Sequence, residues 1–192
     1  MRNELLRKTI HIALGLLILF LAHIKQLNLP ILLILLFSTI FIFLNARYGI
    51  IKILNQLVSI VDDHKTLPAI GAVTFMTGIT LTYLLFPEKE IFFASVIVLT
   101  LGDGISGIVS YYFKGKKIPY NPKKTIEGLL IGFLLPFLAI LHILPWQCAI
   151  LGVTAAMVIE SIPIKVRGLE LDDNILLPLT AAIIFKTCFG YV

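Results

Sequence analysis

The chain has 192 residues, of which 58% are hydrophobic and 14% charged, and its formal net charge is +5; its mean hydropathy is +0.99. A soluble domain carries roughly 25% charged residues, so this composition excludes a water-soluble enzyme or binding module and points to one polytopic membrane domain over residues 1–192. The positive charge suits an anionic lipid surface, and because the basic residues form no single soluble patch, nucleic acid is not an expected partner.

A spanning helix needs about 20 mostly apolar residues. Apolar runs bounded by polar or proline-containing breaks predict seven of them, at roughly 5–24, 28–46, 68–86, 90–113, 125–144, 146–163 and 174–190. The first run follows Arg2, Arg7 and Lys8 but ends in no small-x-small cleavage pattern. It reads as a retained helix, with a secretory signal as the alternative. Between the second and third runs, Ile50, Ile51, Ile53, Leu54, Leu57, Val58 and Val61 alternate at helical spacing with Lys52, Asn55, Gln56 and Ser59. That pattern predicts an amphipathic helix lying in the membrane interface; the alternative is an overlong second helix. The fold class is therefore an all-α integral membrane protein of about seven transmembrane helices plus one interfacial helix. Cys148 and Cys188, far apart in apolar runs, are expected to pack as separate small side chains.

The basic residues orient the chain. With the N-terminus in the cytoplasm, thirteen of the sixteen lysines and arginines (Arg2, Arg7, Lys8, Arg47, Lys52, Lys65, Lys114, Lys116, Lys117, Lys123, Lys124, Lys165 and Arg167) fall on the cytoplasmic side. Lys25 and Lys89 fall outside, and Lys186 lies in the last span. The multi-pass chain is thus expected in the cell membrane with its active site facing the cytoplasm. The acids follow the same side, which the charge rule does not require: Asp62, Asp63, Glu170, Asp172 and Asp173 lie in loops or helix starts there, and Asp103, Glu127 and Glu160 lie in the cytoplasmic halves of spans.

An ionisable group inside a span costs about 2.5–3.5 kcal/mol on insertion scales and so tends to have a partner or a purpose. At the start of the first span, Arg7, Lys8 and His11 share a face with Glu4; snorkelling explains the first two, and a satisfied polar residue is the plainer reading of His11. Asp103, Ser106, Gly107, Ser110 and Lys114 share one helical face. Helix packing explains the small residues of this stripe, Gly102 included, but not Asp103. The following loop, FKGKKIPYNPKKTIEG, holds five lysines. A positive-inside anchor accounts for lysines in general. The loop ends at a helix start where Thr125 is a capping residue and Glu127 suits the dipole. Flanked by Lys123 and Lys124, that start is also a phosphate site. Gly128 and Gly132 are a small-residue packing pair. Near the C-terminus, Glu160, Asp172, Asp173 and Asn174 supply the hard oxygens that Mg²⁺ takes beside substrate phosphates; capping explains one of them. His23 and His142 take no role, and His64 reads as part of a solvated turn. No Walker, protein-kinase or Cys/His metal motif is present.

The run LGDGISGIVSYYFKGKKIPYNPKKTIEG, residues 101–128, resembles the signature of membrane enzymes that use CTP. Two branches share it: the dolichol kinase, phytol kinase and CTP-dependent diacylglycerol kinase family, and the related phosphatidate cytidylyltransferases. RKTIH, with Arg7, Lys8 and His11, and Glu160 followed by Asp173, Asn174 and Pro178 resemble the kinase branch; no PGHGG-type run of the other branch occurs. Lys114 stands where an FG pair is common. The resemblance implies a kinase that moves phosphate from CTP, with Mg²⁺, to a long-chain lipid alcohol such as phytol, geranylgeraniol or a dolichol, or to diacylglycerol. The alternative is a cytidylyltransferase making a CDP-lipid. A transporter or scaffold is a third reading, disfavoured because the outer half carries so few ionisable groups. The resemblance makes Asp103, Lys124, Glu127, Glu160 and Asp173 the catalytic candidates, Asp103 and Asp173 holding the metal. It places Arg7, Lys8, His11, Gly102, Gly107, Lys123, Thr125, Gly128 and Asn174 around the nucleotide. Small-residue helix faces would permit a homodimer.

Overall fold

The computed structural model describes residues 2–61, 68–113, 115–166 and 169–190. Asp62, Asp63, His64, Lys65, Lys114 and Arg167 lie outside the described residues, as do the side chains of Arg2, Lys165 and Glu170. The predicted apolar runs all form helices: α1 (Arg2–His23), α2 (Leu29–Tyr48), α4 (Ile70–Leu85), α5 (Lys89–Ile97) continued into α6 (Gly104–Phe113), α7 (Ile126–Ile140), α8 (Trp146–Ser161) and α9 (Asp173–Phe189). The amphipathic stretch forms α3 (Lys52–Val61). Among the described residues, three helical segments, Glu4–His23, Leu29–Tyr48 and Lys89–Phe113, are long and apolar enough to cross a membrane; α4, α7 and α8 are shorter apolar helices. The outer faces stay apolar, as in α7, where Leu130, Leu134 and Leu138 form an exposed stripe at i, i+4, i+8. Surface of that kind belongs against lipid, and the chain is a membrane protein.

Two details depart from a plain helical bundle. The loop after α6 folds as an antiparallel hairpin of β1 (Lys117–Ile118) and β2 (Asn121–Thr125), and a second hairpin, β3 (Lys165–Val166) with β4 (Leu169–Glu170), joins α8 to α9. Between α5 and α6, residues Val98–Asp103 are wound as a π-helix. Such turns insert an extra residue and frequently mark functional sites; this one ends on Asp103.

The elbow between α2 and α3 is built. Gly49 takes φ +74 and ends α2, which removes the overlong-helix alternative. The side chain of buried Asn45 then spans the corner: its Oδ1 accepts the Ile51 N–H at 2.6 Å, and its Nδ2 donates to Asn55 Oδ1 at 2.7 Å. Asn45→Ala is expected to cost about 1–3 kcal/mol, because these groups lose their partner in a buried corner; thermal unfolding in detergent checks it.

The helix ends sort by chemistry. At one end, α1 meets the π turn ahead of α6, the β1–β2 hairpin meets α8, and α9 meets α4 through polar and charged contacts. At the other end, Lys186 of α9 pairs with Glu88 before α5. There, too, Cys148 and Cys188 are joined as a disulfide between α8 and α9. This corrects the expectation of two separate thiols: forty residues apart in sequence, they lie at ends of helices that run antiparallel along each other.

A buried charge cluster as candidate active site

Asp103 is the centre of the polar end. It is 1% exposed. Both its oxygens accept from Lys8 Nζ at 2.6 Å, and Oδ1 lies 3.3 Å from Lys124 Nζ. His11 Nε2 stands 3.7 Å from Oδ2 and donates to the Leu99 carbonyl inside the π turn, its ring edge-on to Phe75. Gly107 makes this approach possible, since a Cβ there would come within 2.6 Å of Lys8 Cε. The glycine leaves the groove through which the lysine stem reaches the carboxylate.

Lys124 ties the remaining acids together. Its Nζ lies 2.5 Å from Glu160 Oε1, 3.3 Å from Asp103 and 3.6 Å from Asp173. Burial alone would lower the basicity of this ammonium, but Glu160, Asp103 and Asp173 outweigh it and hold the group above the ordinary lysine value. Glu160, 3% exposed, also accepts from Ser106, which ties α6 to α8, whereas Ser110 one turn on bonds to Thr125. At the start of α9, Asp172 caps the helix through Asn174 N, and Asn174 Nδ2 donates to Gly71 O and Thr74 Oγ1 of α4. Burial, then the Asp173 charge beside it, push the Asp172 carboxyl up to about 6.

The hairpin that carries Lys124 is anchored to α8. Buried Asn121 donates to the Ser161 carbonyl at 3.1 Å, and Tyr120 Oη lies 3.2 Å from Ser161 Oγ. The sequence reading overlooked these three residues. The NP turn pair flanked by a lysine run was their only signal, and it says nothing of the partner helix.

The expected site residues thus divide. Lys8, His11, Asp103, Lys124, Glu160 and Asp173 converge, and Asn174 stands beside them. Arg7 is half-exposed and pairs with Glu4 at 3.1 Å. Lys123 points to solvent, and exposed Glu127 accepts from the Lys116 N–H away from the cluster. Thr125 caps α7 by accepting from Gly128 N and is itself bonded to Ser110, so its own side chain takes one of the N–H groups proposed for phosphate. Gly102 packs on Met157 and the Gly132 carbonyl, and Gly128 on Ser110; both are packing positions.

The donor set suits a hard divalent cation, since every candidate ligand is an oxygen. Two of them, Glu160 Oε2 and Asn174 Oδ1, are buried without a hydrogen-bond partner. Among the described residues, however, no three His, Cys, Asp or Glu groups are poised around a common point. The acids converge on Lys124 instead.

Uncharacterized protein MJ1137 of Methanocaldococcus jannaschii is 30% identical over 187 residues, 96% of this chain and 93% of that protein. Phytol kinase 1, chloroplastic, of Arabidopsis thaliana is 33% identical over 120 residues, 54% of this chain and 38% of the kinase. Probable phytol kinase 3, chloroplastic, of Glycine max is 26% identical over 208 residues, 95% of this chain and 62% of that protein. The chain therefore spans about two fifths to three fifths of the length of these plant kinases. No family model and no solved structure matches.

Proposed function

The chain belongs to one family with MJ1137 and is kin to the plant phytol kinases, and from that premise we propose that it is a CTP-dependent kinase of a long-chain isoprenoid alcohol. The observation that carries the reading is the Lys8–Asp103–Lys124–Glu160 cluster, buried at one end of a helical bundle whose outer faces are apolar. A hydrocarbon chain suits the lipid-facing helices, and its hydroxyl comes to rest at the charged end. The multi-pass topology of seven spans, with this end in the cytoplasm, follows the distribution of basic residues. CTP as donor rests on the resemblance of the 101–128 run.

Phosphoryl transfer asks the protein for positioning and charge neutralisation more than for covalent chemistry. Lys8 and Lys124 supply positive charge against the transferring phosphate; Gly107 leaves room for the Lys8 stem, and His11 stands beside Asp103. Asp103, Asp173, Glu160 and Asn174 would hold Mg²⁺. When bound, the cation neutralises phosphate charge. Asp103 or Asp173 accepts the hydroxyl proton. Glu127, facing away, is set aside as the base.

One assay decides between donor chemistries. With purified protein, phytol or geranylgeraniol, and CTP labelled at either the α- or the γ-phosphate, label is expected in the lipid from γ only. Label from α would identify a cytidylyltransferase and overturn the kinase reading.

A further inference from the structure

We propose that Lys8 and Lys124 are built-in counter-ions that keep the acids of the site closed to a bare metal ion, and that a metal enters only together with a polyphosphate that takes the lysines over. The inference rests on the kinase reading and adds an order of events to it. Both oxygens of Asp103 are occupied by Lys8 at 2.6 Å. Lys124 stands within 4 Å of three carboxylates and supplies the positive charge between them. Two ammoniums thus face three carboxylates, and one negative charge is left over. Glu160 Oε2 and Asn174 Oδ1 are buried beside them without a hydrogen-bond partner.

A lone divalent ion would have to push an ammonium away from its carboxylates. An ammonium left in a buried site without a partner is strongly unfavourable. A polyphosphate changes that balance, because its oxygens give each lysine a charge-assisted partner as good as the carboxylate it leaves. Both side chains can make the exchange. They are long and unbranched; Lys8 passes over Gly107, and Lys124 rises from a short hairpin strand beside solvent-facing Lys123. Metal and polyphosphate should therefore bind with positive coupling, each raising the affinity of the other by the same factor.

The test uses the full-length protein in detergent, with Mn²⁺ and inorganic tripolyphosphate as probes and the melting temperature as readout. Wild type is expected to be stabilised by the two together and by neither alone. Lys124→Met, and independently Lys8→Met, are expected to bind Mn²⁺ alone at least about tenfold more tightly than wild type, read by electron paramagnetic resonance. Lys124→Met should also melt low without Mn²⁺ and recover with it. Stabilisation of wild type by Mn²⁺ alone equal to that by the pair would overturn the lock and leave the kinase reading standing. So would variants that gain no Mn²⁺ affinity while the pair still stabilises wild type. No response of wild type or variants to any combination would overturn both.

Discussion

Asp103→Asn is expected to reduce phosphate transfer about 10²–10³-fold, the scale for loss of one group that stabilises charge in a transition state, and to lower the melting temperature. The two effects have different origins. The amide keeps the shape but not the charge, so Lys8, both of whose short hydrogen bonds end on this carboxylate, is left buried and uncompensated. Removing one partner of a buried ion pair costs about 3–5 kcal/mol, whereas replacing both by apolar groups of similar size can be neutral. The double variant Lys8→Met, Asp103→Leu should therefore melt nearer wild type than Asp103→Asn does, while remaining inactive. An active Asp103→Asn would remove this residue from the chemistry. A double variant no more stable than the single one would show that the pairing is not what holds this end of α1 to the π turn.

Gly78→Ala is expected to damage both fold and activity. A Cβ at this position would overlap the Asn174 carbonyl of α9. That carbonyl is where it is because Pro178, one turn on, has no N–H to offer it; it presses instead on the glycine of α4. The obstacle is backbone, so the helices must separate. Overpacking of this kind costs about 1–3 kcal/mol, occasionally more. The start of α9 moves with Asn174, and with it Asp173, which faces Lys124 at 3.6 Å. Transfer should fall at least about tenfold, since small misplacements of a reacting constellation are heavily penalised. Melting and turnover measured on the same preparation check both halves; a variant as stable as wild type would refute the close approach. The contrast is Gly107, where the atoms in the way are the far end of a flexible lysine rather than backbone.

Much of this could be read from the chain before any coordinates. The apolar runs are long enough that helix is nearly the only outcome, and the seven predicted runs fall within a few residues of the observed helices. Asp103 stood out because a carboxylate among apolar residues has no cheap explanation. Glu160 and Asp173 stood out because the acids gather on the same side as the bases. Other features left no local trace. Periodicity arguments assume 3.6 residues per turn, so the π turn at Val98–Asp103 is invisible to them. Whether a lysine binds a ligand or a neighbouring acid depends on residues far along the chain, as with Lys8 and Asp103, ninety-five positions apart. Glu127 and Asp173 read alike as acids in the first turn of a helix, yet one faces outward to Lys116 N and the other faces Lys124. The disulfide required knowing that α8 and α9 lie side by side.

That disulfide makes a closed covalent ring of the chain from Cys148 to Cys188. Glu160 and Asp173 sit on opposite arms of the ring, near the end away from the sulfurs, and Lys124 reaches between them from outside it. The ring is closed at both ends, by sulfur at one and by the β3–β4 hairpin at the other. The two acids therefore stand on a frame tied at each end, and a lysine that changes partners between them leaves that frame in place.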